Sequence, residues 1–219
     1  MLRNLSKNAK ITLSILFSFI GLILITYTYF DTIKNNVYND MNIRYIEQQV
    51  VISEPLEEII VPEEQTTTTT KVVEQTTTKK DARDAYIGYL EINEPDVKIK
   101  RGFVSPDSKY NSVGYNVMVI GGSKMPDVKN GNLILAAHRG NSSVSYFDKL
   151  YKLKRRAKAT ITYEGKTYTY ELTNDYEVDK DGSLTIKRNA NVNTLTLITC
   201  TRNNKKTQTI FIFELVSVK

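Results

Sequence analysis

The pattern of hydrophobic and polar residues divides the chain into three parts. Residues 11–30 form an uncharged apolar run with the ~20 residues that a helix needs to cross a bilayer. Residues 31–84 are mostly polar and include two runs of Thr, whereas over residues 85–219 the apolar positions recur with a period near two. The pattern therefore predicts a transmembrane anchor, a linker and one mainly β domain.

The apolar run has the flanks of an uncleaved anchor. Arg3, Lys7 and Lys10 precede it, and positive charge on that side predicts that residues 1–10 are cytoplasmic and that the rest is extracellular. A cleaved signal peptide is the alternative. It would have a shorter apolar core of roughly 7–15 residues and a small-residue cleavage site. This run instead ends in Tyr-Thr-Tyr-Phe, which favours a single-pass membrane protein.

The linker, residues 31–84, is expected to hold the domain away from the membrane. Thr runs mixed with charged residues cannot bury enough apolar surface to offset chain entropy, so an extended or disordered segment is expected. Residues 33–61 mix apolar and charged positions, and this mixture also fits a short amphipathic helix.

The domain at residues 85–219 is predicted to be an eight-stranded β-barrel with one or two short helices. Its strand-like segments are rich in β-branched and aromatic residues and are bounded by turn residues. Ser142–Leu150 alone has helical spacing, with Ser at the start and one apolar face. The predicted strands are residues 86–92, 97–100, 113–120, 133–137, 159–163, 167–172, 194–200 and 209–216.

Charge argues against a nucleic-acid-binding protein. The chain has 30 basic and 24 acidic residues, a formal net charge of +6. The basic residues of the C-terminal domain are scattered over strand-like segments and form no stripe of the kind that nucleic acid requires. They indicate either a solvated surface or one that faces an anionic cell envelope.

The candidate chemistry rests on one cysteine and one histidine. Cys200 and His138 each end an apolar, strand-like run, and the rim of a barrel is a rigid place for reacting groups. A thiol needs a nearby base or cation to react, and His138 is the only imidazole. The alternative is a small buried cysteine and a locally satisfied histidine. One His and one Cys do not make a zinc site, so no metal or other cofactor is expected.

Three segments resemble the sortase family. GNLILAAHR, residues 131–139, resembles the family's G-N-hydrophobic-A-G/A-H segment, and SYFDKLYKL, residues 145–153, resembles the F-x-x-L element that follows it. TLTLITC, residues 194–200, is similar to the signature T-L-x-T-C. The order, with His first and Cys on the penultimate strand, also fits.

This resemblance implies a membrane-bound extracellular enzyme of Gram-positive bacteria with an eight-stranded barrel. Such an enzyme cleaves an LPxTG-like sorting signal of a secreted protein, forms a thioacyl intermediate and transfers the protein to an amine, often of a cell-wall precursor. The resemblance assigns Cys200 as nucleophile and His138 as acid and base. Thr199 is expected near the reacting position, in contact with substrate.

The third family residue, an Arg just before the last strand, has no direct counterpart. That place reads Asn-Asn-Lys-Lys-Thr-Gln over residues 203–208. Arg202 is the candidate replacement, with Lys205 and Lys206 as alternatives, and Arg202 could also be a solvated loop cation. The lack of Trp and the short connection over residues 175–193 place the chain nearest to class A or D.

Two other functions stay open at this point. One is a hydrolytic cysteine peptidase, in which water replaces the amine. The other is a catalytically impaired barrel that only binds surface proteins, which the displaced Arg makes plausible.

Overall fold

The computed structural model describes residues 7–52, 85–182 and 184–219, which form two compact units, Met1–Met41 and Asn42–Lys219. Helix α1 spans Lys7–Ile52 and contains the whole apolar run. In the described residues, no helix combines the length and the apolar character that crossing a membrane requires.

Helix α1 extends well beyond the predicted anchor. It continues through residues 31–52 of the predicted linker, where the sequence also fitted a short amphipathic helix, because that stretch contains neither Pro nor Gly to end a helix. The rest of the predicted linker, residues 53–84, lies outside the described residues, as does most of the predicted cytoplasmic segment.

Within the second unit, the end of α1 packs against the domain. Ile43 and Ile46 are buried with Tyr89, and the Glu47 carboxylate accepts hydrogen bonds from Lys100 Nζ at 2.7 Å and from the Tyr89 hydroxyl at 3.3 Å. Apolar and charged side chains therefore both anchor this part of the helix, as expected of an amphipathic segment.

The domain consists of one eight-stranded sheet that curls into a nearly closed barrel, which confirms the predicted mainly β fold. The strand order is β2-β1-β5-β6-β8-β7-β4-β3, and a 3₁₀ helix at Leu150–Lys152 precedes β5. The strands are β1 Gly88–Glu94, β2 Val97–Phe103, β3 Met118–Val119, β4 Asn132–Ala136, β5 Lys158–Tyr163, β6 Lys166–Asp179, β7 Thr194–Cys200 and β8 Thr207–Val218.

Strands β4 and β7 lie side by side and run parallel, whereas the other strand pairs of the described sheet are antiparallel. Both strands are almost continuously buried, with Leu, Ile and Ala beside buried Thr and Asn side chains. The core that they help to form includes Leu133, Leu135, Leu195, Leu197, Phe211 and Phe213.

The third strand is much shorter than predicted. Of residues 113–120, only Met118–Val119 form a strand. The side chain of Asn111 takes the place of further strand pairing, since its amide both accepts from the Val119 N–H at 2.7 Å and donates to the Val119 carbonyl at 2.8 Å.

The helix predicted at Ser142–Leu150 is wrong. The segment forms turns, because the Phe147 N–H donates to the His138 carbonyl at 3.1 Å and so is not available to an α-helix. The predicted apolar face is nevertheless used, since Phe147 and Leu150 are both fully buried in the core.

Candidate active site

The structure brings the two predicted reactive residues to one edge of the sheet. The parallel register pairs Ala136 of β4 with Ile198 of β7, and the Ala137 N–H extends the ladder by donating to the Ile198 carbonyl at 3.3 Å. His138 lies two residues beyond the end of β4, and Cys200 is the last residue of β7. Because the two strands are parallel and adjacent strands lie ~4.8 Å apart, both residues lie near the same end of this strand pair.

Buried polar side chains hold β4 and β7 in this register. Asn132 Oδ1 accepts hydrogen bonds from the hydroxyls of Thr194 at 3.0 Å and Thr196 at 2.9 Å. All three side chains are buried, so the bonds cannot be exchanged for water without cost. Thr194 and Thr196 of the TLTLITC motif therefore position the strand that carries Cys200.

Thr199, which is predicted to contact substrate, makes a hydrogen bond within the protein. Its side chain is only 5% exposed, and its hydroxyl donates to the Ala137 carbonyl at 3.0 Å. The Thr199 hydroxyl therefore donates its hydrogen bond to Ala137 and links the residue before Cys200 to the residue before His138. This arrangement does not support substrate binding by the Thr199 side chain.

His138 combines a fixed backbone with an accessible side chain. Its carbonyl accepts the hydrogen bond from Phe147, whose ring is anchored in the core, while the side chain is exposed at the rim. An imidazole in this position can reach a bound substrate and exchange protons with it.

Cys200 has a cationic neighbour that sequence reasoning missed. The thiol is half-buried. Within the part of the chain that the structure describes, its Sγ accepts a hydrogen bond from Lys180 Nζ at 3.1 Å and none from His138. Lys180 directly follows β6, and it reaches Sγ because Val178 pairs with Gln208 of β8, which pairs with Cys200 of β7. The contact depends on the pairing of three strands, which no local sequence motif encodes. The sequence therefore gives no signal that could have predicted the contact between Lys180 and Cys200.

Arg202 lies in the loop that follows Cys200, exposed at the same rim. Its guanidinium stacks on the Tyr151 ring, 4.4 Å from the ring centroid, and the Arg139 guanidinium lies 5.3 Å from the same centroid. Arg139 also donates to the Asp148 carbonyl at 3.4 Å. The segment after His138 and the segment after Cys200 thus meet at one aromatic ring.

The two alternative cations contribute backbone groups to this rim. The Lys205 carbonyl accepts from Lys180 Nζ at 3.4 Å, and the Lys206 carbonyl accepts from the Lys180 N–H at 2.9 Å. The residue opposite Cys200 on β8 is Gln208. The side chain at the start of β8 is therefore a neutral amide, whereas the family resemblance leads one to expect an arginine near this place.

Comparison with known proteins agrees with this fold. The family model described as the sortase domain matches residues 90–215. No curated protein matches the chain.

Solved structures that are similar to this chain share its fold at low sequence identity. Sortase A from Corynebacterium diphtheriae is 20% identical with a TM-score of 0.53, over 60% of this chain and 61% of that one. The sortase D5 transpeptidase of Clostridium perfringens is 21% identical with a TM-score of 0.51, over 61% and 81%. Sortase C-1 from Actinomyces oris is 20% identical with a TM-score of 0.53, over 60% and 74%.

Proposed function

Because the chain belongs to the sortase family of cysteine transpeptidases, we propose that it cleaves an LPxTG-like sorting signal of secreted proteins and transfers the cleaved protein to a cell-wall amine. The observation that supports this proposal is the parallel pairing of β4 and β7, because His138 follows the end of β4 by two residues and Cys200 ends β7 at the same edge of the sheet. A thiol and an imidazole on adjacent strand ends form the minimal pair for acyl transfer through a covalent intermediate.

The proposed reaction has two halves. Cys200 gives its thiol proton to His138, and Sγ attacks the scissile carbonyl carbon, forming an S–C bond and a tetrahedral oxyanion. The oxyanion collapses, the C–N bond breaks, and the leaving amine takes a proton from the His138 imidazolium. In the second half, His138 removes a proton from the incoming amine, which attacks the thioacyl carbon and releases Sγ.

Arg202 is proposed to contact the peptide at the rim. Its guanidinium is exposed and carries five donors, but it is stacked on Tyr151, while Lys180 contacts Sγ. A role in binding the substrate backbone fits this position better than a role at the sulfur.

An extracellular location on the membrane is also part of the proposal. It is supported by the uncharged run of residues 11–30 with its basic N-terminal flank, and by the exposure of large apolar side chains along that part of α1, including Phe17, Ile23 and Ile25.

Peptide turnover tests the proposed function. The full-length chain is incubated with a small library of sorting peptides, with and without an added amine. The masses of the protein and of the peptide products are then measured. We expect an acyl adduct on Cys200 and a product that contains the amine. An adduct that yields only the hydrolysed peptide, whatever the amine, would identify a hydrolytic peptidase.

Gln208 opposite Cys200 favours one further candidate, a catalytically impaired barrel that only binds surface proteins. The same experiment separates it from the enzymes, because a binding protein would retain the peptide without forming any adduct.

A further inference from the structure

Lys180 is held at both ends by the turn between β7 and β8. Its N–H donates to the Lys206 carbonyl at 2.9 Å, and its Nζ donates to the Lys205 carbonyl at 3.4 Å and to Cys200 Sγ at 3.1 Å. One backbone contact and two contacts of the ammonium hold Lys180 Nζ beside the sulfur, although Lys180 is exposed to solvent.

The two arginines of the rim are engaged elsewhere. Arg202 and Arg139 lie over the ring of Tyr151. On β8, Gln208 occupies the position opposite Cys200 and carries no charge. The cation that contacts Cys200 Sγ is therefore Lys180, which directly follows β6.

We propose that Lys180 is a catalytic residue of this site, whose ammonium contacts the Cys200 sulfur and then binds the oxyanion of the tetrahedral intermediate. This inference rests on the proposed acyl transfer. The family resemblance led us to expect an Arg in this electrostatic role, just before the last strand. The proposal assigns the role to a lysine on the β6–β7 connection instead.

The chemistry of the first half-reaction requires a group of this kind. When Sγ bonds to the scissile carbon, the carbonyl π electrons move to oxygen, which becomes an anion two bonds from the sulfur. An ammonium in contact with Sγ is within reach of that oxygen. Lys180 donates a hydrogen bond throughout and keeps its proton, while the leaving amine is protonated by His138.

Alkylation of Cys200 measures this charge without any substrate. Cys200 is the only cysteine, so iodoacetate and iodoacetamide both report on one sulfur. Each forms an S–C bond and releases iodide, but iodoacetate is an anion and iodoacetamide is neutral. Both rates depend on the same fraction of reactive thiolate, so this fraction divides out of their ratio. The ratio then reports how nearby charge favours the anionic reagent over the neutral one.

Three variants of the full-length protein define the expected result. Lys180→Met should lower the iodoacetate-to-iodoacetamide ratio about fivefold, the factor that one charge at ~4 Å gives in water. Lys180→Arg should keep the ratio close to that of the wild type. Lys187→Met is the matched control, because Lys187 is an exposed lysine on the same connection whose Nζ lies 5.8 Å from the centroid of the Tyr176 ring.

A ratio that does not change in Lys180→Met would overturn the proposal, and so would an equal fall in Lys187→Met. Because Lys180 is exposed, its replacement leaves the core intact, and an unchanged melting temperature verifies this.

Peptide cleavage supplies the second measurement. Lys180→Met should lower kcat by ~10², with little change in KM, as loss of an oxyanion donor does. If the ratio falls but peptide cleavage is unchanged, Lys180 is not catalytic. If the ratio falls and the wild-type protein cleaves no peptide, the contact with Cys200 stands and the transpeptidase function fails.

Discussion

The guanidinium of Arg202 lies 4.4 Å from the centroid of the Tyr151 ring, at the rim that carries Cys200. Stacking of this kind holds a cation through the face of the ring and leaves its N–H groups free to point outward. It ties the loop after the nucleophile to the helical turn at Leu150–Lys152.

Arg202→Ala should therefore affect substrate binding more than chemistry. We expect KM for a sorting peptide to rise, while kcat falls by much less than the ~10² to 10³ expected for an oxyanion donor. Tyr151→Leu should have a similar effect, because it removes the surface on which the guanidinium rests. A loss of kcat in the larger range for Arg202→Ala would return the oxyanion role to Arg202.

Cys200→Ala should abolish turnover and leave the fold intact. No other thiol exists to replace the nucleophile, and a half-buried residue at a strand end contributes little to packing. Cleavage and adduct formation are followed by mass spectrometry, and folding by circular dichroism. Peptide cleavage by the purified variant would contradict the assignment of the nucleophile.

Asn132→Ala should destabilise the domain by about 2 kcal/mol or more, because the buried hydroxyl of Thr196 loses its acceptor. Urea unfolding monitored by tyrosine fluorescence measures the change. Asn191→Ala, at an exposed position, is the control and should change the free energy of unfolding by less than about 0.5 kcal/mol. Equal unfolding midpoints for Asn132→Ala and the wild type would show that the register does not depend on Asn132.

Stability should fall in alkaline solution partly through Tyr163. Burial, followed by a hydrogen bond and charge repulsion from Glu164, raises its pKa to about 12 from the ordinary 10.0. Below pH 10 the phenol is protonated in both states and its contribution is complete. Between pH 10 and 12 the unfolded chain loses the proton first, so unfolding becomes easier.

Tyr163→Phe tests this pH dependence by difference, because burial also raises the pKa values of Tyr168 and Tyr170 and their effects remain in both proteins. The variant should lose less stability than the wild type between pH 10 and 12 in urea unfolding. Identical slopes for the two proteins would show that the ionisation of Tyr163 is not coupled to folding.

The predicted topology can be tested on intact cells. Protease added outside should cut the Thr-rich part of the linker and release the catalytic domain into the medium. If the domain is protected until the cells are lysed, the orientation is the reverse of the one proposed.

Local pattern was sufficient to predict the mainly β domain and most of its strands, because each strand depends on the residues of its own segment. The roles of Cys200 and His138 stay predictions. Local pattern failed where a distant partner decides the conformation. The hydrogen bond between Phe147 and His138 replaces a helix, and Asn111 replaces strand pairing beside Val119. The contact of Lys180 with Cys200 depends on the pairing of three strands, which spacing along the chain does not encode.

The parallel pairing of β4 and β7 also determines when the protein acquires its chemistry during folding. Thr199 and Ala137 are joined by a hydrogen bond although they are 62 positions apart in the chain. Closing so long a loop costs entropy that only the completed sheet recovers, and such distant contacts form slowly. A growing or half-folded chain therefore carries Cys200 before β4 and β7 have paired, and the proposed ability to acylate would arrive with the last steps of assembly.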